Sequence, residues 1–528
     1  MEIKSNIKMK FIIFCVLPCL VSAANILVLE TTASPSHHIW MKTLLLALAE
    51  KNHNITSISA DFDVGQSPNL HYLHLDKVYE VLYDETSEDH SQNLDFFAMG
   101  EMNPYLAYYN FVSYMAQNVI GCVKSTGYQQ LLNYPDDFKF DLIIYDFIAG
   151  PVLLNFVEKF GNPPIIAATA FFSSNYASKI TGGILTPAFV PYPLVNMDLS
   201  SFWGRTNNFL IFLLDYLVRE YYIGYKINYH VKNDFATGKD VRDIEKQIKL
   251  VFLNKHPALD MIEPLMPNTI QLGGLQIQRN KGLPKDLQEI LDNAKNGAIL
   301  FSLGTNVKSE MLGDDRITEI LETFRSLPQY TFIWKFEADS LPVEVPSNVI
   351  IRKFVPQSDL LEHPNLKLFI SHCGLLSTQE AVWFGVPILG LPVFADQFYN
   401  LELSVRNGVA EKGNLGNINR NSFKQLIEKM INDPKYRNNA KTRSNVFRDQ
   451  KETPLERGVW WTEYVLRHPN MTFMSSPSLN LGLTQRHSWD VVAFITSIFI
   501  FSVYVILKIC CLSFRTCLRK RSQKSKTE

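Results

Sequence analysis

A chain of 528 residues, 46% of them hydrophobic, exceeds what a single core organises and divides naturally into two large domains. Its 51 basic and 52 acidic side chains leave a formal net charge of −1, which argues against a nucleic-acid binder. Of the seven cysteines only Cys122 and Cys373 lie outside the two chain ends, so no disulfide framework exists and a large core must hold the fold.

Residues 1–23 read as a secretory signal. Lys4, Lys8 and Lys10 precede the apolar run Phe11 to Val21, and Val21-Ser22-Ala23 is a small-residue cleavage site. A first domain is expected over residues 24–265. It opens with the buried strand "NILVLE" (Asn25 to Glu30), the loop "SPSHHIW" and a helical run from Ile39 to Glu50. Further buried strands are "FDLIIYD" (Phe140 to Asp146) and "PPIIAATA", and the alternation with helices predicts a parallel sheet covered on both faces. Asp61-Phe62-Asp63 has the spacing of a metal-binding Asp-x-Asp, yet no other donor-site feature accompanies it, so it reads as a surface turn. Between Thr181 and His230 the chain becomes rich in Phe, Tyr and Leu, which suits a packed core helix, an apolar substrate pocket or a membrane-skimming face.

The segment from Phe252 to Gly274, with three prolines and a closing Gly pair, reads as the interdomain linker. A second domain follows over 266–470, with the strands "GAILFSLGT", "TFIWKF", "NVIIRKFVP", "LKLFISHCG" and "VPILGLPVF". Each ends in a loop holding Gly, Pro or a polar residue, and in such folds ligands sit at the carboxyl ends of the strands. The densest of these loops runs from Ser371 to Ser377. There His372 follows a strand, Gly374 allows backbone to approach a ligand, a helix starts near Ser377, and Glu380 lies one turn inside it.

After a linker over 471–490, Val491 to Leu507 holds 17 residues without a charge. At about 1.5 Å per residue these reach roughly 25 Å, enough for a thin bilayer. Trp489 is placed as an interfacial anchor, and the basic tail over 508–528 is cytosolic by the positive-inside rule. Lys526 and Lys524 stand third and fifth from the carboxyl end and resemble the dilysine retrieval signal of the endoplasmic reticulum. Asn54-Ile-Thr56 and Asn470-Met-Thr472 are glycosylation sequons on the luminal side of this topology.

The combination of the Ser371–Glu380 segment with Asp396-Gln397 resembles the signature of the UDP-glycosyltransferases. It is closest to the membrane-bound animal type that includes glucuronosyltransferases and invertebrate glucosyltransferases. "FSLGT" (Phe301 to Thr305), "FVPQ" (Phe354 to Gln357), "PLMPNTIQLGG", "SPSHHIW" and the membrane tail all fall where that family has them. The resemblance implies an α/β GT-B fold, with two Rossmann-like domains facing a cleft, acceptor on the first half and UDP-sugar on the second. It implies that Phe354 stacks on uracil and that Gln357 contacts the nucleoside. His372 and Ser377, helped by Ser302, Gly304 and Thr305, would hold the diphosphate, with Gly374 allowing close approach. Glu380 would bind the ribose, and Asp396 with Gln397 the sugar hydroxyls. One position departs: Leu376 stands where many relatives carry an Asn that touches phosphate.

The family also places a catalytic base at His37, oriented by Asp146, for an inverting single displacement. The adjacent His38 is a rival that sequence alone leaves open. No metal or other cofactor is expected, UDP-sugar being a co-substrate. The expected activity is transfer of a hexose to a hydroxyl of small lipophilic acceptors. "SPSHHIW" looks like the invertebrate branch, which favours UDP-glucose over UDP-glucuronate. A non-catalytic carrier of lipophilic ligands and an epimerase are the competing classes. Membrane lipid is an expected partner, nucleic acid is not, and a homo-oligomer is left open.

Overall fold

The computed structural model describes residues 23–83, 102–135, 137–172, 174–194, 198–235, 238–277, 282–338 and 340–524. The leader 1–22 and the last four residues, with Lys526, lie outside them.

Short apolar runs bounded by Gly, Pro and polar residues form thirteen strands in two sheets among the described residues. In the first domain these are β1 (Asn25–Glu30), β2 (Asn54–Ser59), β3 (Leu70–His74), β4 (Leu142–Asp146), β5 (Ile165–Thr169), β6 (Ile248–Leu253) and β7 (Thr269–Gln271). Their spatial order is β3-β2-β1-β4-β5-β6-β7, and every pairing is parallel. The second domain contributes β8 (Ala298–Ser302), β9 (Thr331–Lys335), β10 (Val349–Arg352), β11 (Leu366–Ser371), β12 (Ile388–Gly390) and β13 (Ala410–Lys412). Their order is β10-β9-β8-β11-β12-β13, again all parallel. All residues of β4, β5 and β8 are buried, as a strand covered by helices on both faces must be. In each sheet the strand order reverses beside the first strand, between β1 and β4 and between β8 and β11, and a crevice opens there.

Two expectations are corrected. The chain does not leave the first domain at residue 265, because β7 completes the first sheet; the prolines of the expected linker sit in the β6–β7 connection. The helix Pro454–Arg467, expected in the second domain, instead returns to the first. Its Val459 and Val465 join the core built by Leu44, Leu45 and Leu48 of the helix Pro35–Glu50. The stretch Val491 to Leu507 lies within a longer helix that runs unbroken from Trp489 to Lys524. Its stretch Trp489–Arg519 is long and apolar enough to cross a membrane and has no buried part, which fits a membrane anchor.

The domains meet around the helix Leu375–Trp383. Gln379 on that helix is fully buried, accepts from the Gly274 amide (3.2 Å) and the Gln276 amide group (3.1 Å), and donates to the Asn254 carbonyl (3.3 Å). Beside it Phe172 and Tyr399 stack with centroids 4.6 Å apart. Gln379→Leu keeps the volume but strands these partners in a buried seam, where each unpaired group costs about 1–3 kcal/mol. The variant should lose roughly 2–4 kcal/mol in denaturant unfolding. A loss no larger than that of an exposed substitution would remove Gln379 from this role.

Candidate active site

The first-domain half of the site lies at the crevice between β1 and β4. Pro35 opens the helix Pro35–Glu50 directly after the β1 loop, which places His37 in its first turn. Asp146 ends β4 on the neighbouring strand. His37 Nδ1 and Asp146 Oδ2 are 3.1 Å apart, and both side chains are buried. The other carboxylate oxygen accepts from the Ile148 amide (3.2 Å). Phe171, after β5, packs its ring 5.8 Å from the imidazole.

A buried residue that sequence reading missed fixes this loop from behind. Arg219 donates through Nη1 to the Ile148 carbonyl (3.0 Å) and through Nε to Asp215 (2.9 Å). Asp215 also accepts from Tyr108, Tyr192 and Asn175. The backbone of Ile148 is thereby held on both sides, and with it the Asp146 carboxylate.

His38 is differently placed. Its Nδ1 lies 2.9 Å from Glu30 and its Nε2 3.3 Å from Asp63, so both ring nitrogens already face carboxylates. Burial works against its charge, but the Glu30 carboxylate outweighs it and raises the imidazole pKa. Asp63 also pairs with Lys42, and Asp61 accepts from the Tyr79 hydroxyl (2.9 Å). The Asp-x-Asp pair is therefore half-buried and committed to its own domain, more deeply tied in than a surface turn.

The second-domain half lies at the β8–β11 crevice. Ser302 ends β8 and accepts from the Gly304 amide (3.2 Å). Gly304 has φ +84°, and a Cβ there would meet the His372 ring at 2.5 Å; a Cβ on Gly374 would collide with the same ring from the other side. The room at Gly374 is thus filled by His372 itself, whereas the sequence suggested room for a ligand. Burial pushes the His372 imidazole down to about 4, so it is neutral at physiological pH. Lys335, at the end of β9 and also unforeseen, donates to the Gly304 carbonyl (2.8 Å) and to Glu337 (2.6 Å).

Ser377 and Glu380 lie on the helix Leu375–Trp383, whose free N-terminal amides open toward the crevice. Gln357 starts the helix Gln357–Glu362 and donates to both, at 3.0 Å and 2.6 Å. Burial pushes the Glu380 carboxyl up to about 7, although the Gln357 and Ser358 hydrogen bonds pull the other way. Phe354, in the loop after β10, is 77% exposed, a bare aromatic face beside this cluster. Leu376 points into the apolar seam between the domains with Phe172 and Tyr399, which accounts for an apolar residue at that position.

Asp396 and Gln397 begin the helix Gln397–Arg406 after β12. Gln397 Oε1 accepts from the Val393 and Phe394 amides (2.8 and 3.1 Å) and shapes the loop. Burial pushes the Asp396 carboxyl up to about 6, opposed by an Asn400 hydrogen bond and by His37 across the cleft. Asn400, a third residue without a sequence signal, donates to Asp396 (2.8 Å) and to the Cys373 carbonyl (3.0 Å). Thr305 is exposed, and its neighbour Asn306 reaches across to Ser34 (3.2 Å), joining the β8 loop to the loop before His37. His37, Asp146, Ser302, Gly304, Gln357, His372, Gly374, Ser377, Glu380, Asp396 and Gln397 thus gather at two facing crevices. The sequons lie apart from them. Asn470 is exposed, whereas the Asn54 amide is half-buried and donates to Asn25 (3.0 Å).

Fold and site define a glycosyltransferase of the GT-B fold. A crystal structure of the glycotransferase of kitacinnamycin matches with TM-score 0.57 at 15% identity, over 84% of this chain and 99% of that one. CalG4, the calicheamicin glycosyltransferase, matches with TM-score 0.54 at 14% identity, with the same coverages. The chain belongs to the UDP-glucoronosyl and UDP-glucosyl transferase family, whose model spans residues 24–524. It is 30% identical to UDP-glucosyltransferase 2 of Dactylopius coccus, over 94% of this chain and 95% of that protein. It is 28% identical to UDP-glucuronosyltransferase 2B13 of Oryctolagus cuniculus, over 93% of each. The enzyme transfers a sugar from a UDP-sugar to an acceptor.

The raised carboxyls have a measurable consequence. Glu380 ordinarily titrates near 4.5 and here near 7, so the stability it contributes is complete below 4.5 and is lost as pH rises through 7. Glu380→Gln cannot ionise. It should unfold with the wild type at pH 4.5 and exceed it by roughly 1–3 kcal/mol at pH 8 in urea titrations. A difference that does not change with pH would show that Glu380 is not held neutral.

Proposed function

We propose that the enzyme transfers glucose from UDP-glucose, with inversion, to a hydroxyl of small lipophilic acceptors, and that His37 is the base. The observation that carries this is the buried His37–Asp146 hydrogen bond facing Asp396 across the cleft. With Nδ1–H donated to Asp146, the Nε2 lone pair is left for the acceptor hydroxyl. As the acceptor oxygen bonds to the anomeric carbon and the bond to UDP breaks, the hydroxyl proton moves to Nε2. Asp146 and Asp396 then stabilise the imidazolium. His38 has no free nitrogen for this task.

On the donor side Phe354 stacks on uracil, Gln357 and Glu380 take the nucleoside and Asp396 with Gln397 the sugar. The departing diphosphate charge is met by the amides at Gly374–Ser377, by neutral His372 and by the Ser302–Thr305 loop. These residues supply the stabilisation without a metal ion. The "SPSHHIW" loop and the likeness to a Dactylopius coccus glucosyltransferase favour glucose; the likeness to a glucuronosyltransferase keeps UDP-glucuronate as the second reading. We place the catalytic domains in the endoplasmic reticulum lumen as a single-pass type I protein, with Lys524 and Lys526 acting from the cytosolic tail.

Membranes carrying the enzyme, given a phenol and equal UDP-glucose, UDP-glucuronate and UDP-galactose, should yield mainly the glucoside. A glucuronide as main product reverses the donor, and binding without turnover reverts the protein to a carrier.

His37→Ala should lower kcat by about 10²–10⁴-fold while UDP binding by calorimetry is kept. Asp146→Asn should lose much of the same activity, and the double variant should fall well short of the product of the two losses. His38→Ala should act on stability, by unpairing Glu30, and leave turnover per folded molecule nearly intact. Chelators should leave the rate unchanged. Normal turnover in His37→Ala, or a chelator-sensitive wild type, would refute this assignment.

A further inference from the structure

The aromatic-rich segment forms the helix Phe202–Leu217, a π-helical turn Val218–Ile223 and the helix Gly224–Val231, one continuous rod. At about 1.5 Å per residue its length is roughly 45 Å. One face is core: Ile211, Phe212, Ile223 and Ile227 are buried. The opposite face is neither core nor pocket. Phe202, Trp203, Tyr221 and Tyr225 are 66%, 72%, 64% and 65% exposed, and Phe209 and Leu210 are exposed between them. So long an exposed aromatic ridge calls for a partner surface.

The position of the ridge identifies the partner. Phe209 lies 5.7 Å, ring to ring, from Trp489, the first residue of the helix that is long and apolar enough to cross a membrane. The chain just before that helix is stapled to the same region. Arg486 donates to the Lys179 carbonyl (3.1 Å), His487 accepts from the Leu185 amide (3.0 Å) and Ser478 bonds to the Gly182 carbonyl. The point where the chain enters the bilayer is therefore fixed beside the ridge, and Trp489 marks interfacial depth. Charge agrees. The acids of the rod, Asp215 and Glu220, are spent on Arg219 and Lys179, which leaves Lys226 and Lys232 over the Tyr222 and Tyr229 rings at the outer side. Aromatic rings with flanking lysines are the composition of an interfacial helix.

We propose that the outer face of residues 202–231 is a second membrane-binding surface, which lays the first domain on the bilayer beside the spanning helix. This rests on the membrane-anchor reading of that helix and is independent of which sugar is transferred.

The test uses the full chain with Cys15 and Cys19 of the leader replaced by alanine and Cys510, Cys511 and Cys517 by serine, Cys122 and Cys373 being buried. Phe202→Cys, Tyr225→Cys and, as an exposed control on the second domain, Asp315→Cys each carry an environment-sensitive fluorophore. The chains are placed in phosphatidylcholine nanodiscs with or without bromine on the acyl chains. Labels at 202 and 225 should emit to the blue of the label at 315, and brominated lipid should quench them, as an apolar face buried at the headgroup/acyl boundary requires. The label at 315 should not respond. Should the labelled chains fail to fold, Trp203→Phe in the otherwise native chain should lose part of the bromolipid-quenchable tryptophan signal. Labels at 202 and 225 that respond no more than 315, or a Trp203→Phe variant quenched as fully as the wild type, overturn the proposal. A blue shift seen only with two chains per disc, without bromolipid quenching, overturns it in favour of a second copy of the chain.

Discussion

Everything the site does depends on one buried amide. Gln379 sits where two parallel sheets meet, fully buried, and its hydrogen-bond partners come from the other domain. They come from Asn254, at the end of β6, and from Gly274 and Gln276, just past β7. A seam of apolar contacts alone would hold the domains together but tolerate sliding. Directional hydrogen bonds to backbone groups of the first sheet do not. They set the helix Leu375–Trp383 against the first domain, and that helix carries Ser377 and Glu380. The same register sets Asp396 opposite His37.

Within the second domain the local backbone is shaped at a cost. Cys373 and Ala395 adopt φ of +64° and +54°, a region that side chains with a Cβ rarely enter and that costs about 1–3 kcal/mol at each residue. Asn400 spans the two strained turns, holding the Cys373 carbonyl with the same amide that holds Asp396. His372 is wedged between Gly304 and Gly374, and Glu380 and Asp396 carry raised pKa values because burial opposes their charge. Neutral imidazole, strained turns and half-neutralised carboxyls are each unfavourable alone. Together they form a polar lining already in place before a charged ligand arrives, as preorganised electrostatics requires.

Much of this was legible in the chain because it is local. Buried strands show as uninterrupted apolar runs, and the residues after them belong to short motifs whose spacing survives in sequence: His37 after β1, Ser302 to Thr305 after β8, His372 to Glu380 after β11. What stayed hidden depends on contacts far apart along the chain. Lys335 meets Gly304 only because β9 lies beside β8, and Arg219 meets Ile148 only after the long rod folds back over β4. The return of Pro454–Arg467 to the first domain has no local mark, since an amphipathic helix reads the same against either core. His37 and His38 could not be told apart by adjacency. Their partners, Asp146 for one and Glu30 with Asp63 for the other, separate them.

The rod at residues 202–231 links two ends of the molecule that sequence treats as unrelated. Its outer face meets Trp489 at the start of the long apolar helix; its inner face sends Arg219 to the carbonyl of Ile148, whose amide holds Asp146. A buried ion pair such as Arg219–Asp215 gains little net stability, because desolvation offsets most of its attraction. Its value lies in geometry. Asp215 is saturated by Tyr108, Tyr192, Asn175 and Arg219, so the guanidinium cannot swing, and a backbone carbonyl bonded to it cannot drift. The orientation of the His37–Asp146 pair is therefore referenced to the same helix that carries the aromatic ridge. With that ridge on a bilayer, the His37–Asp146 pair would stand at a constant height above the lipid.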